Sequence, residues 1–380
     1  MSTHRSLLFS PIQLAGVSFS NRVFVSPMCQ YSSEDGFSND WHLVHLGSRA
    51  VGGAALVFTE ASAVMPEGRI TPQDLGLWKD DHIPGLKRIV NFLHGQGVRA
   101  GVQLAHAGRK ASMTRPWARE QRSLTPGEGG WQNVMAPSAV RFAENFGQPI
   151  ALDLAGVQAI IKAFAKAAER ALEAGFDLVE LHAAHGYLLH EFLSPLSNQR
   201  TDQYGGGFEN RIRMVVEVVD AIRAALPAEL PFFVRISATD WAEGGWDIEQ
   251  SVALAKVLKE HKVDLIDVSS GGMTPQAVMP IGPGYQTPFA ERIRREAKIP
   301  TGAVGMITGA AQAEHILRTG QADVVLLARE LLRQPYWALE AAKELGDVAS
   351  WPAQYLRAAP QGSPEREPIV HSAIPETASI

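Results

Sequence analysis

The sequence carries one cysteine, Cys29, so no intrachain disulfide can form. That fits a reducing compartment and places the protein in the cytoplasm. A single thiol also excludes a cysteine-ligated iron–sulfur cluster. No apolar run approaches the length of a membrane span. The N-terminal stretch MSTHRSLLFSPIQLAG lacks a signal peptide's apolar core, because Ser10 and Pro11 interrupt it. Positive charge is not in excess: 35 Lys and Arg face 40 Asp and Glu, a net charge of −5. No basic field therefore invites nucleic acid. HExxH and Walker A motifs are absent, and the run from Tyr204 to Gly207 reads as loop, since no GxGxxG follows a strand. What remains is an enzyme acting on small molecules, without a nucleic-acid or membrane partner.

What is present is one recurring phrase: an amphipathic helix, a break, then a short apolar strand, often opened by Asp. The helix predicted over 155–174 ends at Gly175, where a C′ glycine belongs, and leads into a strand at 177–182. Helices at 248–261 and 310–319 lead likewise into strands at 264–269 and 323–328. Helices at 42–51 and 82–95 lead into 55–59 and 99–105. Further strands are expected at 23–26, 232–236 and 302–305. Strands this apolar are buried on both faces, as in a parallel sheet covered by helices. Eight such units predict an α/β fold, a closed (β/α)8 TIM barrel; a doubly wound sheet is the structural rival. Residues 9–19 read as a hairpin around Ala15-Gly16 that plugs the barrel. The connections after strands 3 and 4, roughly 106–150 and 183–208, are long enough to be functional. The barrel occupies 1–357. The Pro-rich tail, 358–380, is expected to be a flexible extension.

Barrel active sites lie at the C-terminal strand ends. There the sequence places Ser26-Pro-Met-Cys-Gln-Tyr31, Gln103, His106, Arg109-Lys110, His182, His185, Tyr187, Arg235, Gly305-Met-Ile307 and Ala328-Arg329. Each has a plain structural reading. Cys29 alone could be a small buried hydrophobe. His182 and His185 could ligate a metal, but they are not at i, i+4 on a helix and no third ligand is evident. Tyr187 is either packed aromatic surface or a proton donor. Arg235, in a strand, must meet an anion or a carboxylate. Lys110 with Arg109 reads equally well as a solvated loop pair. Glu180, one residue inside its strand end, is expected to point away from the mouth.

The phosphate signal is firmer. Gly302 and Gly305 allow close backbone approach, Thr308-Gly309 opens a helix, and Arg329 follows strand 8 as a bidentate cation. One phosphate group suits FMN, PLP or a sugar phosphate. The residues by themselves reach only a phosphate-binding barrel with an acid and a cation at its mouth.

Taken together, Ser26–Tyr31, Gln103-Leu-Ala-His-Ala-Gly-Arg-Lys110, Glu180-Leu-His-Ala-Ala-His-Gly-Tyr187, SPLSNQRTDQY at 194–204, Phe208-Glu-Asn-Arg211 and Val304-Gly-Met-Ile307 resemble the Old Yellow Enzyme family. The likeness is to its thermophilic-like (YqjM/xenobiotic reductase A) branch. It spans residues 9–357. It implies a barrel with non-covalent FMN that takes hydride from NADPH or NADH and passes it to an activated C=C bond by ping-pong kinetics. By resemblance, Ser26, Pro27, Met28, Cys29, Ala61, Gln103 and Arg235 line the flavin ring, and Gln286 reaches its edge. Gly305, Met306, Ala328 and Arg329 hold the phosphate. His182 and His185 grip the substrate carbonyl, Tyr187 donates the proton, and Tyr31 and Cys29 touch substrate. No metal is implied.

Three departures stand out. Ala328 replaces a glycine usual before the arginine, which requires a negative φ there. The turn from Ser269 to Met273 has an extra glycine. Arg357 matches an arginine that enters a neighbouring subunit's site, so a homodimer or homotetramer is expected, yet 23 residues follow it. The reading from another class is a phosphate-binding isomerase or aldolase without redox chemistry.

Overall fold

A computed structural model describes residues 6–370. Eight parallel strands close into a barrel in chain order: β1 (Val23–Val25), β2 (Leu56–Ala63), β3 (Arg99–Ala105), β4 (Leu178–Ala183), β5 (Phe232–Ser237), β6 (Leu265–Ser269), β7 (Thr301–Ala303) and β8 (Val324–Leu327). Leu326 of β8 pairs with Phe24 of β1 and seals the cylinder. The doubly wound alternative is thereby excluded.

The strand-opening aspartates have a structural task. Asp177 accepts the backbone N–H of Ala100 at 2.7 Å, Asp264 that of Phe232 at 2.8 Å, and Asp323 that of Thr301 at 3.0 Å. Each carboxylate thus ties the entry of one strand to the start of the strand before it. Helix ends follow their sequence signals as well. Asp153 caps the helix Leu154–Ala174 by accepting from Gly156 N at 2.7 Å, and Gly175 ends it at φ 89°.

The core has two layers. One lies between strands and helices; the other, inside the barrel, includes Phe24, Leu56, Phe58, Leu178, Phe233 and Leu265. Strands Ile12–Leu14 and Val17–Phe19 form the expected hairpin, and Leu14 and Phe19 join the inner layer from below. Phe19 meets Phe24 with ring centroids 5.0 Å apart.

The segment after Arg357, which its composition marks as a flexible extension, lies against the barrel as far as it is described. Trp351 N donates to Pro364 O, Arg366 N to Trp351 O and Ile369 N to His94 O. The Arg366 guanidinium reaches Ala50 O at 2.6 Å and Ser350 O at 2.8 Å. Residues 371–380 fall outside the described residues.

Candidate active site

The C-terminal strand ends open on a cavity of about 340 Å³, a volume suited to a small ligand. Ser26 and Pro27 enter it from beyond β1, Arg235 from β5, and His185 from the loop after β4. Gln286, Gly305, Met306, Ala328 and Arg329 complete the predicted part of the lining. The same wall holds Thr308 and Ser269, both named from the sequence, together with Tyr285 and Arg333, which sequence reading did not single out. Arg333 stands four residues after Arg329, and that spacing was the available signal.

One end of the cavity fits a phosphate. Arg329 and Arg333 face it together with Thr308, which precedes the helix Ala310–Arg318. Gly305 has φ +116°, and a Cβ there would stand 2.6 Å from Gln286 Nε2, so only glycine serves. Gln286 is fixed in turn: its Nε2 donates to Val304 O at 2.8 Å, and Ser270 Oγ donates to its Oε1 at 2.6 Å. Ala328 has φ −109°, which meets the condition its side chain imposes.

Toward the barrel axis stands Arg235. Its Nη2 donates to Ser26 Oγ at 2.8 Å and its Nε lies 2.9 Å from Asp267 Oδ2. The strand-borne cation therefore has a carboxylate partner and also lines the cavity. Below it, Gln103 Nε2 donates to Glu180 Oε1 at 2.7 Å. Glu180 thus points into the barrel, not away from the mouth. It is two residues from His182, and alternation along β4 puts both on the same face.

Beside His185, but outside the lining of this cavity, stand two more rings. His182 lies edge-on to His185 and to Tyr187, with centroids 5.0 and 5.1 Å away. His185 Nδ1 is 3.3 Å from His182 Nε2, and His185 Nε2 is 2.7 Å from Ser269 Oγ. Burial, reinforced by nearby positive groups, holds both imidazoles well below their usual pKa. They are neutral at pH 7. Burial likewise raises the Tyr187 phenol and, more strongly, the Tyr31 phenol. Cys29 hydrogen-bonds Tyr31; its thiol is pushed up first by burial and then by the Glu60 and Asp74 carboxylates. A protonated thiol is a poor nucleophile.

Arg109 and Lys110 are not a solvated pair. Arg109 is buried and donates to Met273 O at 2.7 Å. Lys110 Nζ donates to His185 O at 2.8 Å and to Gly272 O, and sits 4.2 Å above the Phe142 ring. Burial first, then Arg109, brings its pKa down to about 7. The extra glycine has a role here: at φ +90°, Gly272 abuts the His185 backbone, where a Cβ would clash at 2.6 Å. His185 itself has φ 59°, Tyr31 50° and Met306 50°. These are three of the nine side-chain-bearing residues with positive φ among the described residues.

Ala61 and Tyr187 line a separate, smaller hollow, and Met28 packs on the core. Arg357 is exposed on the turn Ala353–Ala358, so within one chain it does not line the cavity.

The barrel and this mouth define a (β/α)8-barrel protein with a polar ligand site at the C-terminal strand ends. Residues 7–347 match the NADH:flavin oxidoreductase / NADH oxidase family, and the chain belongs to it. A NADPH dehydrogenase of Geobacillus sp. (strain WCH70) is 49% identical over 354 residues, covering 93% of this chain and 98% of the relative. One from Halalkalibacterium halodurans is 48% identical, over 92% and 98% of the two chains. Among solved structures, morphinone reductase superposes with a TM-score of 0.74 at 29% identity, over 92% of each chain. The old yellow enzyme homologue from Zymomonas mobilis gives 0.74 at 25%, over 90% and 94%. The protein is thus a flavin oxidoreductase of the Old Yellow Enzyme type, and the non-redox isomerase or aldolase reading falls.

Proposed function

We propose that this protein is an FMN-dependent ene-reductase that draws electrons from NADPH and reduces the activated C=C bond of α,β-unsaturated carbonyl or nitro compounds. The observation that carries this reading is the group of buried His182 with half-buried His185 and Tyr187, three neutral rings packed edge-on about His182, of which His185 lines the cavity.

Bound FMN supplies the means to accept hydride from a nicotinamide and return it to an electron-poor carbon. The chain's own residues do the rest. Ser26, Pro27, Met28, Ala61, Gln103, Arg235 and Gln286 would hold the ring system, and Gly305, Met306, Ala328 and Arg329 the phosphate. In a partly dry site the Arg235 guanidinium favours negative charge beside it. His182 and His185 each keep one N–H and bind the substrate oxygen, where charge grows as the double bond is reduced. The Tyr187 hydroxyl then protonates the adjacent carbon, giving net trans addition. Its raised pKa keeps the proton in place until a carbanion needs it. Tyr31 and the Cys29 thiol contact substrate without forming a bond to it.

Reductant and substrate use the same mouth in turn, so kinetics are ping-pong. NADPH is preferred to NADH on the strength of the relatives' name. The protein acts in the cytoplasm as a homodimer or homotetramer, with Arg357 entering the neighbouring copy's mouth.

The test is the visible spectrum of the purified protein under anaerobic conditions. A flavin band that bleaches with NADPH and returns with cyclohexenone is expected. Bleaching with no return on enones or nitroalkenes would leave a flavin oxidoreductase of another substrate class.

A further inference from the structure

Beneath Arg235 the barrel interior holds two acids where one would neutralise the cation. Glu180 on β4 and Asp267 on β6 are both fully buried. They flank β5, where Asp267 is in register with Arg235 and Glu180 with Phe233. Asp267 Oδ2 lies 2.9 Å from Arg235 Nε as an ion pair, and Glu180 Oε1 accepts the Gln103 amide N–H at 2.7 Å. That leaves Glu180 Oε2 and both Asp267 carboxylate oxygens without a hydrogen-bond donor from the protein. The two carboxyls lie within hydrogen-bonding reach of each other.

Two ionised carboxylates cannot share such a place. The one guanidinium offsets a single charge, so the second carboxylate's repulsion and desolvation stay uncompensated, and each orphaned oxygen costs the desolvation of an unmade hydrogen bond. One proton between them satisfies both oxygens at once. We infer that Glu180 and Asp267 share a single proton, held mainly on Glu180, and that this pair acts through Arg235 to set the charge presented to the cofactor. The proton resides on Glu180 because Asp267 is the acid paired with the guanidinium. Burial, and then the neighbouring carboxylate, push Glu180 far above the ordinary carboxyl range, while burial against Arg235 places Asp267 at about 6.

With one proton in place, Arg235, Asp267 and Glu180 sum to zero charge. Without it they sum to −1, directly below the group meant to favour a reduced, more negative flavin. Glu180 and Asp267 are therefore positioning residues for Arg235. The other groups facing the pair do not compete for the proton. Gln103 from β3 does not titrate, and His182, two residues along β4, is held neutral by burial. The floor below is aromatic, with Phe58 and Phe233. The flavin part of this inference rests on the reading proposed above; the shared proton does not.

The experiment compares FMN-loaded wild type with Glu180→Gln by infrared spectroscopy at neutral pH. Glutamine keeps the shape, accepts from Gln103 and donates to Asp267, as the protonated acid does. Wild type is expected to show a protonated-carboxyl absorption that the variant lacks; Asp74 and Glu191, buried acids whose pKa is raised by burial, are common to both spectra and cancel. No difference would overturn the inference. Should Glu180→Gln not fold, Asp267→Asn serves: Glu180 then becomes the sole counter-ion of Arg235, ionises, and the same absorption is lost.

The midpoint potential gives the second readout, and in wild type it needs no variant. As pH rises the oxidised protein gives up the shared proton to solvent. Reduction by two electrons then draws one proton back, so the potential falls more steeply with pH over that range. Glu180→Gln lacks the extra proton per electron pair. Equal slopes would detach the pair from the cofactor. If the protein takes up no FMN, the ene-reductase reading fails, and the infrared comparison on the protein as purified still decides the shared proton.

Discussion

His185 is held between two partners, His182 Nε2 at 3.3 Å from its Nδ1 and Ser269 Oγ at 2.7 Å from its Nε2. A neutral imidazole has one N–H, and the Ser269 hydroxyl, able to accept it or to donate to the bare nitrogen, holds the orientation of the His185 ring. Replacing Ser269 by Ala is expected to lower kcat/KM for cyclohexenone by about tenfold, the lower range for loss of a ligand-orienting partner. Removing an imidazole outright, His182→Ala, should cost about 100- to 1,000-fold, as for a lost oxyanion donor. Steady-state kinetics check both. An unchanged His182→Ala enzyme would take the pair out of the substrate-oxygen role.

Tyr187 separates the two half-reactions. Tyr187→Phe keeps the ring against His182 and removes only the hydroxyl. Re-oxidation by an enone should slow by about 100- to 10,000-fold, the usual weight of general acid catalysis, while bleaching by NADPH changes little. Stopped-flow absorbance follows each half separately. Equal slowing of both would reject the proton-donor assignment.

Arg329 is expected to act on cofactor retention and not on folding. It follows β8 in the cavity wall, with its charge directed at the phosphate end. A hydrogen bond to a charged group contributes about 1.5–3 kcal/mol. Arg329→Ala should therefore weaken FMN binding roughly 10- to 150-fold. Flavin fluorescence on titration of the apoprotein measures it, and circular dichroism should report an unaltered barrel.

Asp177 supplies a pH-dependent part of the stability. Burial by itself would raise its pKa; the His94 contact at 2.7 Å, the Ala100 N–H and Arg99 at 2.9 Å outweigh that and hold it below the ordinary value. A carboxylate with a depressed folded pKa stabilises fully above its unfolded pKa, about 4, and loses that contribution as pH falls through the lower folded value. Unfolding free energies of wild type and Asp177→Asn from urea titration should thus differ at pH 7, by about 3 kcal/mol for a broken buried pair. They should converge in strong acid. A gap that is constant with pH would assign the effect to packing.

Arg357 tests the assembly. It is exposed on its turn and touches nothing in the cavity of its own chain. Light scattering is expected to give a dimer or tetramer, and Arg357→Ala to raise KM with the assembly intact. A monomer with full activity would refute a shared arginine.

Much of this was legible in the sequence. The eight apolar runs and their helices led to the barrel because strands buried on both faces have few alternatives. That Gly305 and Arg329 share the cavity wall was legible because both are local features of their strand ends. The acids under Arg235 were harder to see, although the signals exist. Glu180 and His182 are two residues apart, which in a strand means one face. Asp267 interrupts an otherwise apolar strand. What the sequence does not contain is the register that brings Asp267 beside Arg235, a relation between strands set by barrel closure. Lys110 was obscure for a similar reason: its burial under Phe142 depends on how a long loop folds back.

The way residues 351–369 return to Ala50 and His94 has a practical consequence. These contacts lie at the N-terminal ends of the strands, on the side of the barrel opposite the mouth. A fused module or a surface tether attached after residue 370 would leave from that far side. The enzyme would then face its substrates while anchored by its back, with the entrance clear of the support.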